Sequence, residues 1–141
     1  MFRICGFNRC CRNCNCNRDY KKCYYRAYEN REKKEYDITM EQLKVMQLEG
    51  ATVIDIRSTQ EFKEGHINGA IVIPEYEIYR TIARIIPNKD SRIIVYCDTG
   101  LRSISALKIL KRMGYTNVYN LYKGMENYWD FWFSMLQLVC K

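Results

Sequence analysis

Four short runs of strand-like pattern, the first three rich in β-branched residues, recur along the chain after residue 36, and a segment of helical pattern lies between each pair. The runs are Thr52–Ile56, Ala70–Ile73, Arg92–Tyr96 and Asn117–Leu121. Parallel strands can be joined only by crossovers, usually helical ones, so this alternation predicts a parallel sheet with helices on both faces, an α/β fold. The intervening segments carry helix punctuation. Thr39 and Gln42 form a capping box before Leu43, Met46 and Leu48, which share one apolar face, and Gly50 closes that helix. Ser58 and Glu61 form a second box, opening a short helix that ends near Gly65. Glu75–Ile86 places Ile78, Ile82 and Ile85/Ile86 on one side, and Ser103–Met113 is closed by Gly114. A last helix runs from Met125 towards Val139. Arg92–Tyr96 is continuously apolar after its first residue, as expected of a central strand covered on both faces.

The chain has 141 residues, enough for one domain with a sizeable core. Its net charge of +7 is unevenly spread. Residues 1–36 hold ten Lys and Arg against four Asp and Glu, whereas residues 37–141 hold thirteen against twelve. Six of the eight cysteines (Cys5, Cys10, Cys11, Cys14, Cys16, Cys23) also fall in the first segment, leaving Cys97 and Cys140. These shifts predict a Cys-rich basic extension, 1–36, followed by a domain, 37–141, that includes an aromatic C-terminal helix. No run approaches the ~18 apolar residues of a membrane span. The N-terminus lacks the apolar core of a secretory signal, so a cytoplasmic protein with no membrane partner is expected.

Chemistry concentrates where the most apolar strand meets a helix. Cys97 ends the strand, Asp98-Thr99-Gly100-Leu101-Arg102 makes a tight loop, and Ser103 begins the helix. In sheets of this kind, ligands bind beyond the carboxyl ends of the strands. Loop N–H groups and a helix N-terminus favour an anion, and so a thiolate. Gly100 lets the loop curl, and Arg102 offers a guanidinium fork to an oxyanion. Four residues separate Cys97 from Arg102 (Cys-x4-Arg), one fewer than in the Cys-x5-Arg loop with which cysteine-dependent phosphatases wrap a phosphate. The smaller loop suits a persulfide.

Three segments together carry a resemblance. Cys97, Gly100, Arg102 and Ser103 match a Cys-x-x-Gly-x-Arg-Ser loop; Asp55-Ile56-Arg57, with Glu61-Phe62 following, matches an Asp-x-Arg signature; and Gly65-His66-Ile67-Asn68-Gly69-Ala70 matches Gly-His-Ile-x-Gly-Ala. Over roughly residues 37–130 the chain resembles the single-domain rhodaneses, which are sulfurtransferases. The resemblance implies double displacement. Cys97 takes sulfane sulfur from thiosulfate or a persulfide, loop residues Asp98 to Ser103 cradle the resulting persulfide, and a thiol or cyanide removes it, with no cofactor. Asp98 opposes a dianion such as thiosulfate, which favours a persulfide donor. Lys123-Gly124 stands where the family usually has Gly-Gly. Asp55, Arg57, Glu61 and His66 are expected to support the structure: Arg57 by pairing with Glu61, Asp55 by bonding backbone, and His66 by ordering the chain before the next strand.

Two alternatives come from other classes. One is a non-catalytic rhodanese-like module for regulation or metal and redox sensing. The other is a thiol phosphatase or arsenate reductase, which the short loop disfavours. Four readings of the extension stay open: a partly helical, poorly ordered segment, metal ligation by Cys10, Cys11, Cys14 and Cys16, a thiol relay to Cys97, and a basic tyrosine-rich arm. Nucleic acid is not expected as a partner. The aromatic run 127–136 is apolar nearly all round, so a homodimer through the C-terminal helix is expected.

Overall fold

The protein is described by a computed structural model covering residues 31–139. The chain divides into two units, Met1–Glu32 and Lys33–Lys141, and the second carries the fold. In order, its elements are β1 (Asp37–Ile38), α1 (Met40–Leu48), β2 (Thr52–Asp55), α2 (Thr59–Glu64), β3 (Ile71–Val72), a 3-10 turn (Glu75–Glu77), α3 (Ile78–Ile85), β4 (Ile93–Tyr96), α4 (Arg102–Arg112), β5 (Val118–Leu121) and α5 (Gly124–Val139). The five strands form one parallel sheet in the order β1-β5-β4-β2-β3.

The alternation of side chains along each strand divides the core in two. Ile54, Ile93 and Val95 face Ile78, Ile82 and Ile86 and, from α4, Ala106, Leu107 and Leu110. Val53, Ile94, Tyr96 and Leu121 face Met40 and Leu43 of α1 and Met125 of α5. Helices therefore cover both faces, and β4 is buried along its whole length. That burial is why its sequence shows no polar alternation.

Both capping boxes form. The Thr39 hydroxyl accepts from Gln42 N–H while Gln42 Oε1 accepts from Thr39 N–H, and Ser58 and Glu61 do the same at α2. The structure departs from expectation in three places. Leu48 is exposed rather than on the buried face of α1. Residues 75–77 make a 3-10 turn, so the α-helix predicted from Glu75 starts only at Ile78, and of Ile85 and Ile86 it is Ile86 that is buried. Finally, β1 was not foreseen; two residues give no period to read. Tyr36, the last residue of the predicted extension, packs against the core.

Lys123 is the one non-glycine residue with positive φ (61°) among the described residues. It takes the left-handed conformation in the position where the resembled pattern has glycine. Such a conformation costs a side-chain-bearing residue about 1–2 kcal/mol, partly offset in a glycine by the greater freedom of its unfolded chain. Lys123→Gly is therefore expected to stabilise the domain by a few tenths to about 1 kcal/mol. Urea denaturation should show a higher midpoint with an unchanged slope.

On α5, Trp129, Trp132, Phe133, Met135, Leu136 and Leu138 are exposed. The Lys44 ammonium lies over the Phe131 and Trp132 rings. No helix of the described residues is long and apolar enough to cross a membrane.

Candidate active site

β4 delivers Cys97 to the carboxyl edge of the sheet, between β2 and β5. The residue has no exposed surface. Its sulfur forms the floor of the loop: Gly100 N–H donates to Sγ at 3.1 Å, and Ser103 Oγ lies 3.5 Å away. Gly100 reaches this position with φ 75°, and a Cβ there would meet the Leu121 carbonyl oxygen at 2.7 Å.

The loop is fixed from behind by the start of α5. Met125 N–H donates to the Cys97 carbonyl at 2.9 Å and Glu126 N–H to the Asp98 carbonyl at 3.3 Å. Amides of a helix's first turn have no partner within the helix, so they hold these two carbonyls instead. Gly124 makes the approach possible. A Cβ on it would overlap the Cys97 carbonyl oxygen and lie 2.8 Å from that of Asp98.

An alternating chain of charges rims the loop. Asp55, fully buried, receives two bonds from Arg57 Nε and one from Nη2. Arg57 Nη1 bonds Asp98 Oδ1 at 3.0 Å, and its Nη2 also bonds the Gly65 carbonyl. Arg102 Nη2 bonds both Asp98 Oδ2 and Glu61 Oε1. Burial works against the Arg57 cation, but the bonds and charge of Asp55, then of Asp98, outweigh it and raise its pKa. Arg102 is likewise raised, burial being overcome by Glu61 first. Burial alone pushes the Glu75 carboxyl up, against the pull of Arg102.

These contacts correct one expectation. Arg57 pairs with Asp55 and Asp98, not with Glu61. Helix α2 begins at Thr59, so Arg57 is not on a helix and the four-residue spacing to Glu61 does not bring them together. Both carboxylate bonds of Arg102, to Glu61 and to Asp98, come from its Nη2. His66 is exposed. Its Nδ1 is 2.8 Å from the Phe62 carbonyl, and its ring stacks on Phe62. Ile67 N–H, at the approach to β3, donates to the Tyr96 hydroxyl. Cys10, Cys11, Cys14 and Cys16 lie outside the described residues.

Glu61 has a pH consequence. Burial would raise its carboxyl, but the Ser58 backbone bond, then Arg102 and the Ser58 hydroxyl, hold it down to about 2. A depressed carboxyl stabilises the fold above its unfolded value and loses that contribution as pH falls through the folded one. Wild type and Glu61→Gln should therefore differ in stability by a constant amount above about pH 4.5, the ordinary value, and converge as pH drops towards about 2. Denaturant titrations at stepped pH check this.

Sequence reasoning missed two buried polar residues. Asn120 on β5 and Asp37 on β1 are paired in register. Asn120 Oδ1 accepts from Ser103 Oγ at 2.5 Å, and its Nδ2 donates to Asp37 Oδ1 at 2.7 Å and to the Gly100 carbonyl at 3.1 Å. The available signal was a polar residue inside the otherwise apolar run Val118–Leu121.

A family model described as the rhodanese-like domain matches residues 39–130, well over half of the chain. The chain belongs to the rhodanese-like domain family. Among curated relatives, the thiosulfate sulfurtransferase PspE of Escherichia coli is 42% identical over 67 residues, covering 48% of this chain and 64% of the relative. The match thus spans somewhat under two thirds of that protein's length. The thiosulfate sulfurtransferase GlpE of Pseudomonas entomophila is 36% identical over 91 residues, covering 63% of this chain and 80% of the relative. A solved E. coli rhodanese with bound anions superposes with a TM-score of 0.52 at 36% identity, covering 55% of this chain and 91% of that one. The rhodanese-like assignment thus agrees with the parallel sheet order and with the strand-to-helix loop at Cys97.

Proposed function

We propose that the protein is a rhodanese-type sulfurtransferase whose Cys97 carries the sulfur. The observation that carries this reading is the seat of the sulfur: Sγ lies on the loop floor with the Gly100 N–H aimed at it and the Ser103 hydroxyl beside it. In the first step the Cys97 thiolate attacks the outer sulfur of the donor. A new S–S bond forms, the donor's S–S bond breaks, and the electron pair leaves with sulfite or a thiolate. In the second, cyanide or a thiol takes the outer sulfur and returns the Cys97 thiolate. The two steps exchange sulfur without net oxidation and use no cofactor. The naming of PspE and GlpE as thiosulfate sulfurtransferases supports the reading.

Charge bears on the donor. Three carboxylates, Asp55, Asp98 and Glu61, share the two guanidiniums of the rim. A dianionic donor must compete with Glu61 and Asp98 for Arg102, so a persulfide without that charge fits better. The short Cys-x4-Arg loop argues against phosphatase or arsenate reductase chemistry.

The test is thiocyanate formation from cyanide with thiosulfate and, separately, with a small uncharged hydropersulfide. Turnover with double-displacement kinetics is expected, with kcat/KM higher for the hydropersulfide. Asp98→Asn should raise kcat/KM for thiosulfate by roughly three- to tenfold and leave the hydropersulfide nearly unchanged, since an interaction of about 1 kcal/mol is at stake. No turnover with either donor would refute the reading and favour a binding module.

A further inference from the structure

The buried polar pair behind the loop has no part in the scheme above. Asn120 sits at the one place in the sheet where strand register puts it beside both the loop and the first strand. On one side its register partner is Asp37 of β1, and on the other Val95 of β4, two residues before Cys97. Asn120 is fully buried, and Asp37 and Ser103 are nearly or fully so. A buried amide is retained only where its donors and acceptor are met, and here every one has a stated partner.

The orientation of that amide is decided by its surroundings. The NH₂ group faces two acceptors, a carboxylate oxygen of Asp37 and the Gly100 carbonyl. The amide oxygen must then face Ser103. Reversing the amide would set oxygen against the Asp37 carboxylate. Asp37 is itself held, accepting from Lys34 N–H at 2.8 Å.

Two things at the sulfur follow. Gly100 is gripped at both ends, its N–H on Cys97 Sγ and its carbonyl on Asn120, so its left-handed conformation is fixed with the N–H pointing at the sulfur. The Ser103 hydroxyl also has one proton and two neighbours, Asn120 Oδ1 and Cys97 Sγ. With a neutral thiol the proton rests on Asn120 and the serine oxygen can accept from S–H. With a thiolate or persulfide the hydroxyl turns and donates to sulfur.

We infer that Asn120, oriented by Asp37, is a positioning residue for sulfur transfer: it fixes the Gly100 N–H and holds the Ser103 hydroxyl beside the sulfur. The inference rests on the reading of Cys97 as sulfur carrier. It makes no contact with substrate necessary, so its signature falls on kcat rather than on donor KM.

The experiment compares wild type, Asn120→Ala, Ser103→Ala and the double variant in the cyanide assay, with the hydropersulfide donor and with thermal unfolding recorded for each. Asn120→Ala should lower kcat roughly 10- to 100-fold, a usual cost of removing a group that orients a functional one, with KM within about twofold. The double variant should lose at least threefold less than the product of the single losses, because both act through one proton. An unchanged kcat, a loss residing in KM, or losses that multiply fully would overturn the inference. Should Asn120→Ala not fold, Asp37→Asn takes its place: it frees the amide to reverse and should still lower kcat at constant KM, and an unchanged kcat overturns the inference. Iodoacetamide alkylation of Cys97, followed by peptide mapping, gives a readout independent of sulfur transfer. It should be several-fold slower in Asn120→Ala at neutral pH, and an equal rate counts against the inference. A wild type that alkylates normally but moves no sulfur refutes the sulfurtransferase reading instead.

Discussion

Cys97→Ser is expected to lower thiocyanate formation by at least about a thousandfold while leaving the fold intact. Serine is nearly the same size, and the two neighbours of the sulfur, Gly100 N–H and the Ser103 hydroxyl, can bond an oxygen as well. What serine lacks is the chemistry. An alkoxide is inaccessible at neutral pH without a base, and no oxygen analogue of a persulfide forms in the scheme. Losing a nucleophile typically removes most of an enzyme's acceleration, which sets the thousandfold bound. Thermal unfolding and far-ultraviolet circular dichroism should match wild type. A variant that folds and still turns over would move the chemistry away from Cys97.

Gly124→Ala is expected to be the most disruptive single methyl in the domain. The glycine has φ 50°, and the new Cβ would fall on the carbonyl oxygen of Cys97 and within 2.8 Å of that of Asp98. Those atoms are backbone, so no side chain can swing aside. The variant must push α5 off the loop, breaking the Met125 and Glu126 amide bonds that hold it. Left-handed strain and overpacking together suggest a loss of roughly 2–5 kcal/mol. Sulfur transfer should fall further than stability does, since the displaced carbonyls belong to the loop itself. Denaturation and kinetics on the same preparation separate the two. A variant with normal stability and turnover would show that α5 does not brace the loop.

Much of this was legible from sequence, and the gaps have physical reasons. The two capping boxes, the central strand and the Cys97 loop rest on local rules, in which residues three or four apart decide the structure. The charge rim does not. Arg57 and Arg102 lie 45 positions apart in the chain, yet they share Asp98, a meeting set by strand order rather than spacing. Arg57 lies just outside α2, so its four-residue separation from Glu61 is not a helical one and the two do not pair. Asn120 and Asp37 are 83 positions apart and meet only because β1 pairs with β5. A two-residue strand leaves no period, so neither the strand nor the partner could be read in advance. Leu48 shows the converse limit: it lies close to the apolar stripe of α1, but nothing packs over the end of the helix there.

Where the transferred sulfur resides decides whether Cys97 is the carrier. Full-length protein is treated with the hydropersulfide donor, trapped by alkylation, digested and mapped by mass, before and after cyanide. One added sulfur is expected on the peptide bearing Cys97, removed by cyanide and absent from that peptide in Cys97→Ser. Sulfur found instead on the peptides of the N-terminal cysteines, with the Cys97 peptide unchanged, would contradict Cys97 as the carrier.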